Sequence, residues 1–160
     1  EILGFGNSFD AHGISEPHPQ GEGALLAMRR ALKSAGVVAQ EVAYVNAHGT
    51  STPKNDPVET LALRRLFGDA RAEQVMVSST KSMLGHLISA SGAVEVASVL
   101  ACAKQGRAHG TINLETPDPR CDLDYLADGP RDLAPNSVIL KNSFAFGGQN
   151  TSLVLRSPCA

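Results

Sequence analysis

The sequence predicts an α/β domain: a mostly parallel five-stranded sheet with the last strand antiparallel and helices on both faces. Three observations carry this. Short apolar runs alternate along the chain with longer stretches of helical periodicity, the pattern of a parallel sheet connected through helices. The last two apolar runs are joined too tightly for a crossover, so they pair antiparallel. The hydrophobic fraction is 42% and the charged fraction 19% over 160 residues, enough to bury one core and too apolar for a disordered chain.

The elements follow in order. Ile2-Leu3-Gly4-Phe5-Gly6 reads as a short strand, and Asp10 to Gly23, rich in Gly, Pro, His and Ser, as a loop. Glu22 to Ala35 places Leu25, Leu26, Met28, Ala31 and Leu32 at helical spacing, and Gly36 stops it. Val42-Ala43-Tyr44-Val45 is the second strand. Asp56 reads as a helix N-cap, with Pro57 at the first helical position and Glu59 completing a capping box. Leu61, Leu63, Leu66 and Phe67 give that helix its apolar face, and Gly68 ends it. Val75-Met76-Val77 is the third strand. A helix of small residues runs from about Leu87 to Lys104. Thr116 to Pro135 is mostly loop, with a short strand at Leu123 to Leu126. Val138-Ile139-Leu140 and Leu153-Val154-Leu155 close the sheet across a Gly-rich turn.

Composition excludes several classes. A net charge of −2 gives no bulk attraction to nucleic acid. No apolar run approaches about 18 residues, so no membrane span is expected. The first residues lack the basic and apolar regions of a signal peptide, which predicts a cytoplasmic protein. The chain opens in an apolar run without Met and reads as a piece of a longer protein. The three cysteines, Cys102, Cys121 and Cys159, form no C-x-x-C and read as reduced thiols without activation. The five histidines are never spaced i, i+4, so no metal site is indicated.

Polar chemistry collects after the strands. Asn46 to Thr52 follows the second strand, Ser78 to His86 the third, and Asn142 to Asn150 the fourth. In a parallel sheet these segments emerge at one edge, where ligand sites form, so His48, Lys81 and His86 converge although distant in sequence. Two imidazoles and an ammonium suit chemistry that develops negative charge. Gly147-Gly148 lets backbone N–H groups approach a substrate. Taken singly, each feature has a plainer reading: a hydrogen-bonded loop histidine, a solvated lysine, a hairpin turn. His12, His18 and His109 are left as structural histidines. Gly4-Phe5-Gly6 lacks the third glycine of a dinucleotide fingerprint. Lys81-Ser82 has no Gly-rich lead-in and is no P-loop. Ser78-Ser79-Thr80-Lys81 matches the Ser-x-x-Lys of serine acyl-enzymes, without the companion motifs.

Three segments carry a resemblance: Tyr44-Val45-Asn46-Ala47-His48-Gly49-Thr50-Ser51-Thr52-Pro53, Ser79-Thr80-Lys81-Ser82-Met83-Leu84-Gly85-His86 and Asn142-Ser143-Phe144-Ala145-Phe146-Gly147-Gly148. Together they resemble the C-terminal half of a β-ketoacyl-acyl carrier protein synthase, of the synthase II type. The resemblance implies one thiolase-like half, βαβαβαββ, over residues 1–160, with the N-terminal half and its cysteine nucleophile outside this chain. It implies that His48 and His86 are the active-site histidines, stabilising the enolate formed when malonyl-carrier protein loses carbon dioxide. Lys81 is their electrostatic support, Glu95 its partner, and Asp56 an acidic residue behind the site. Thr50 and Thr52 hydrogen-bond the pantetheine arm. Phe146, with Gly147 beside it, is the gate and oxyanion donor, flanked by the Asp10 to Ser15 segment.

The same resemblance implies no metal or organic cofactor, since phosphopantetheine arrives on the acyl carrier protein. It also implies docking with the N-terminal half of the same synthase and a homodimer of the full-length protein. A fragment holding only the enolate-stabilising groups is expected to be inactive alone. The alternative is a non-catalytic subunit or scaffold, such as a chain-length-factor-like partner. Two positions depart from the family pattern. Ala145 stands where most relatives have glycine, and alanine tolerates a left-handed backbone poorly. Ser89 and Ser91 stand where many have Gly and Ala, making the following helix slightly more polar.

Overall fold

The computed structural model describes residues 1–159. The elements are β1 Ile2–Phe9, α1 Glu22–Ala35, β2 Val42–Asn46, α2 Asn55–Phe67, α3 Asp69–Ala72, β3 Met76–Ser78, α4 Lys81–Leu84, α5 Ser91–Lys104, β4 Arg107–Ala108, β5 Arg131–Asp132, β6 Val138–Ala145 and β7 Gln149–Arg156. The main sheet has the order β1-β7-β6-β2-β3. β2 pairs parallel with β3 and β6, while β7 pairs antiparallel with β6 and β1. Four strands therefore run one way, and the last strand alone runs against them, inserted between β1 and β6.

Helices cover both faces, as expected. On one face α1 buries Ala24, Leu25, Met28, Ala31 and Leu32 and α2 buries Ala62, Leu63 and Phe67 against Val42, Val45, Val77, Leu140 and Val154. On the other, α5 presents Val99 and Ala103 to Tyr44, Ile139 and Leu155. The first face is a broad interface because α1 carries apolar residues at i, i+3 and i+4 through its whole length. The second is narrow, since α5 buries only Ser91, Glu95, Val99 and Ala103, one residue every four.

Several boundaries differ from the sequence reading. β1 and β6 run longer, because polar residues such as Asn7 and Asn142 continue the ladder. α2 begins at Asn55, so Asp56 is not its cap and Pro57 is the third helical residue. Pro57 still sits in the first turn, where no amide partner is needed. α5 begins at Ser91 rather than near Leu87, since Ile88–Ala90 forms a separate 3₁₀ turn with Ile88 at φ 51°. Leu123–Leu126 makes a single bridge, Asp124 to Met76, instead of a strand. The paired β4 and β5 were not anticipated; two residues each is too short for a periodicity signal.

Gly6 shows why β1 is glycine-rich on its inner face. A Cβ there would run into the Ala27 carbonyl and the Ala31 amide of α1. Both are backbone atoms of a packed helix and cannot rotate away. Gly6→Ala is expected to destabilise the protein by about 1–3 kcal/mol, the range for overpacking a tight contact. A lowered urea midpoint at unchanged slope is the readout.

Candidate active site

β2, β3 and β6 are mutually parallel neighbours, so their carboxyl ends share one edge. His48 lies two residues past β2, and Lys81 three past β3 at the start of α4. His86 lies just past α4. The structure brings the three together. The His48 and His86 rings stand edge to face with centroids 5.5 Å apart. Lys81 Nζ donates to the His48 carbonyl at 2.7 Å and to Glu95 Oε1 at 2.6 Å, and sits 3.3 Å from His48 Nδ1.

These contacts settle which ring nitrogens carry protons. An ammonium has no lone pair, so His48 Nδ1 accepts from Lys81, and the ring proton of neutral His48 lies on Nε2. His86 Nδ1 accepts the Ile88 amide at 3.0 Å. It also faces the Ser91 hydroxyl at 3.0 Å, whose oxygen already accepts the Leu87 amide at 2.9 Å. The Ser91 proton is thereby free for His86 Nδ1, and His86 also holds its proton on Nε2. Ser91, read from sequence only as a polar substitution in a helix, orients the His86 ring. Two neighbouring imidazoles that present Nε2–H donors form a cradle for a developing oxyanion.

Burial pushes His48 down to about 3, with Lys81, Lys141 and His86 pushing the same way. The ring therefore stays neutral near pH 7 and acts as a hydrogen-bond donor, not as a cation. Two loop residues hold strained backbone beside these groups. Ile88 sits at φ 51° while donating its amide to His86, and Ser51 at φ 58° between Thr50 and Thr52. A β-branched residue at positive φ is sterically costly and tends to mark a functional site.

Glu95 pairs with Lys81, and both are buried. Thr50 and Thr52 point their hydroxyls at each other, 2.9 Å apart. With Asp56 they line a cleft of about 460 Å³ that also reaches Glu59, Ser79 and Lys81. Asp56 accepts the Asn55 amide group at 3.0 Å and touches neither histidine. Phe146 is 79% exposed at the tip of the β6–β7 turn. It is Phe144 that packs on His48, with centroids 5.5 Å apart. The Gly147 amide donates to the Ile14 carbonyl at 2.6 Å, so in this conformation it is engaged and not free for a substrate oxygen. That bond, with Asp10 N–H to the Gly148 carbonyl at 2.6 Å, docks the Asp10 to Ser15 loop on the turn. Ala145 is extended at φ −140°, and Gly147 and Gly148 take the left-handed positions, so alanine is unstrained where relatives have glycine.

Three supporting residues were missed or misread. Glu59, taken for a capping-box residue, is a buried clamp: it accepts the His48 amide at 2.9 Å, the Gly49 amide at 3.0 Å and Asn142 Nδ2 at 3.1 Å. Burial pushes its carboxyl up, opposed by these donors. Asn142 is held in turn by the Ser152 hydroxyl at 2.8 Å. Lys141 is buried and forms an ion pair with Glu95 Oε2 at 2.6 Å. Its signal was visible: a lysine inside the apolar run Val138 to Leu140 has no place on a packed strand unless it is paired. Ser78, the serine acyl-enzyme candidate, is buried against the Tyr44 hydroxyl at 2.6 Å and His109 at 3.1 Å, while Lys81 reaches the other way. His109 is a structural histidine, its ring pushed down by burial.

This geometry places two N–H donors and a buried ammonium at the edge of an α/β sheet, an arrangement suited to a developing oxyanion. The family described as "Beta-ketoacyl synthase, C-terminal domain" matches residues 1–115. The 3-oxoacyl-[acyl-carrier-protein] synthase 2 of Coxiella burnetii is 46% identical over 155 residues, covering 97% of this chain and 37% of the relative. A beta-ketoacyl synthase from Burkholderia phymatum superposes with a TM-score of 0.89 at 39% identity, covering 98% of this chain and 37% of that one. A type II PKS acyl-carrier protein in complex with its ketosynthase bound to the hexaketide matches at TM-score 0.92 and 32% identity, over 97% of this chain and 38% of that one. The chain belongs to the beta-ketoacyl synthase family, as its C-terminal domain, and spans 37% of the length of the curated relative. Among the described residues no helix is long and apolar enough to cross a membrane.

Glu95→Gln leaves two buried ammonium groups without their counter-ion. The expected loss is about 3–5 kcal/mol, measured by denaturant unfolding of the full-length protein. His48 generates a pH dependence of known sign. Its folded-state value lies below the ordinary 6.5, so as pH falls through that range the unfolded chain takes up a proton the folded chain refuses. Its stabilising contribution is complete above about pH 6.5 and is lost toward lower pH, by at most ~1.4 kcal/mol per unit. His48→Gln removes this component, and its unfolding midpoint should fall less steeply than wild type between about pH 6.5 and 4.5.

Proposed function

We propose that this chain is the C-terminal half of a β-ketoacyl-acyl carrier protein synthase, which condenses an acyl thioester with malonyl-carrier protein in fatty acid or type II polyketide biosynthesis. The observation that carries the reading is the pair of Nε2–H donors, each fixed in tautomer by a partner on Nδ1. In malonyl-carrier protein the bond between the carboxylate and the α-carbon breaks. Carbon dioxide leaves, and the electron pair delocalises onto the thioester oxygen as an enolate. His48 and His86 donate to that oxygen, in a setting where such a donor accelerates the step by about 10²–10³. The enolate carbon then attacks an acyl group held on a cysteine of the N-terminal half, forming the new carbon–carbon bond and releasing the thiolate.

Thr50 and Thr52 hydrogen-bond the pantetheine arm, and Phe146 gates the entrance. Phosphopantetheine comes on the carrier protein, and the reaction draws on no metal or organic cofactor. The enzyme works in the cytoplasm as a homodimer. The intact His48, His86, Lys81 and Glu95 set favours this catalytic role over a chain-length-factor-like subunit.

The N-terminal half covers the apolar face this chain leaves open. Ile2, Phe5 and Phe9 on the edge strand β1 are more than half exposed, at 65%, 59% and 67%. Every residue from Met83 to Ala90 is exposed, including His86. Exposed apolar side chains at these two places are the kind of surface that marks an interface.

In the full-length protein, His86→Ala should slow malonyl-carrier protein decarboxylation by about 10²–10³. Carbon dioxide release at the wild-type rate would remove His86 from the mechanism. The 160-residue chain by itself should yield no ketoacyl product, and product formation should appear when the N-terminal half is co-expressed.

A further inference from the structure

Glu95 has two cationic partners where one would neutralise it. Lys81 holds Oε1 and Lys141 holds Oε2, each at 2.6 Å, and all three side chains are at least 95% buried. Lys141 Nζ donates to the Asn142 carbonyl at 2.7 Å and to the Ser143 hydroxyl, and it pairs with Glu95 Oε2 by charge. It is thus a built-in ammonium and not a solvent-seeking side chain caught inside. Burying a second lysine is costly, and one carboxylate cannot cancel two cations. The row ammonium–carboxylate–ammonium keeps one net positive charge, and its Lys81 end touches the His48 ring. Glu59, the other buried acid near His48, faces its amide rather than its ring.

We propose that Lys141 is a positioning residue for the condensing reaction: by sharing Glu95, it leaves the charge of Lys81 uncancelled and directed, through His48, at the enolate oxygen. The inference rests on the functional reading above. With Lys141 absent, Glu95 and Lys81 form a neutral pair, and the field at the oxyanion falls. Acyl transfer onto the cysteine of the N-terminal half does not pass through that enolate, so it depends little on Lys141. A lysine that only fills space between β6 and α5 would affect both half-reactions alike.

The test uses the full-length synthase and measures both half-reactions in three variants, with thermal unfolding as the folding control. In Lys141→Met, carbon dioxide release from malonyl-carrier protein should fall on the order of tenfold in kcat, from the loss of one unit charge at close range in a partly dry site. KM and acyl loading of the cysteine should stay within about twofold. Lys141→Arg keeps the charge and should keep the rate. Glu95→Gln/Lys141→Met removes both charges of the outer pair and leaves Lys81 buried without its counter-ion, so it should unfold earlier than wild type; the folded enzyme should recover most of the decarboxylation lost in Lys141→Met.

Equal slowing of both half-reactions in Lys141→Met, or no slowing of either, overturns the proposal. So does a folded double variant that remains as slow as Lys141→Met. If Lys141→Met does not fold, the arginine variant decides: decarboxylation close to wild type upholds the proposal, and loss of decarboxylation with acyl loading lost alongside it overturns it. A wild-type enzyme without malonyl decarboxylation, or one indifferent to His86→Ala, overturns the functional reading itself and this inference with it.

Discussion

The Lys81 ammonium joins three parts of the chain that have no other reason to meet. Its own segment follows β3, the carbonyl and ring nitrogen it binds follow β2, and the carboxylate it pairs with lies in α5 on the far side of the sheet. Each contact does separate work. The carbonyl bond fixes the His48 loop relative to α4, and the ring contact selects the tautomer. The ion pair makes burial of the charge tolerable. Remove the ammonium and His48 Nδ1 loses the donor that keeps its proton on Nε2. The ring is then free to carry its lone pair, not its proton, on Nε2.

A second anchor works from the opposite side. Glu59 receives the His48 and Gly49 amides and Asn142, and Asn142 is fixed by Ser152 on β7. The His48 loop is thus gripped from the α2 face by a carboxylate and from the α5 face by an ammonium. Charged groups on both sides of one loop are stable only because each is saturated with partners. This is also why the loop can carry Ser51 at a left-handed angle without relaxing.

How much of this the sequence disclosed depended on the kind of signal. The sheet, α1 and the reversed last strand were readable because periodicity and a short Gly-rich connection are local properties. α1 matched residue for residue, since Gly36 at φ 66° closes it and its apolar stripe is uninterrupted. The convergence of His48, Lys81 and His86 was readable because strand ends in a parallel sheet share an edge. The start of α2 misled because Asp-Pro-x-Glu satisfies the local rules for a cap, while tertiary structure recruited Glu59 to the His48 loop instead. Lys141 and Asn142 were passed over because an alternating strand pattern says which face a residue takes, not which partner waits there. Phe146 was placed by resemblance alone. The ring that touches His48 here is two residues earlier, on the stretch of β6 that the apolar run did not reveal.

The two histidines are built to different degrees of finish, and the difference follows from where each sits. His48 rests on the sheet edge, 7% exposed, with partners from α2, α4 and the strand below Phe144. His86 lies on an exposed stretch and is steered only from its own neighbourhood, by Ile88 and Ser91. A dry environment is what makes an N–H donor effective against a developing charge. For His48 the chain supplies that dryness itself. For His86 it supplies orientation alone, at the cost of a strained Ile88, and water is excluded only when something covers Met83 to Ala90. Leu84, Leu87 and Ile88 lie exposed in that stretch, so a surface packed over them would dry His86 as well.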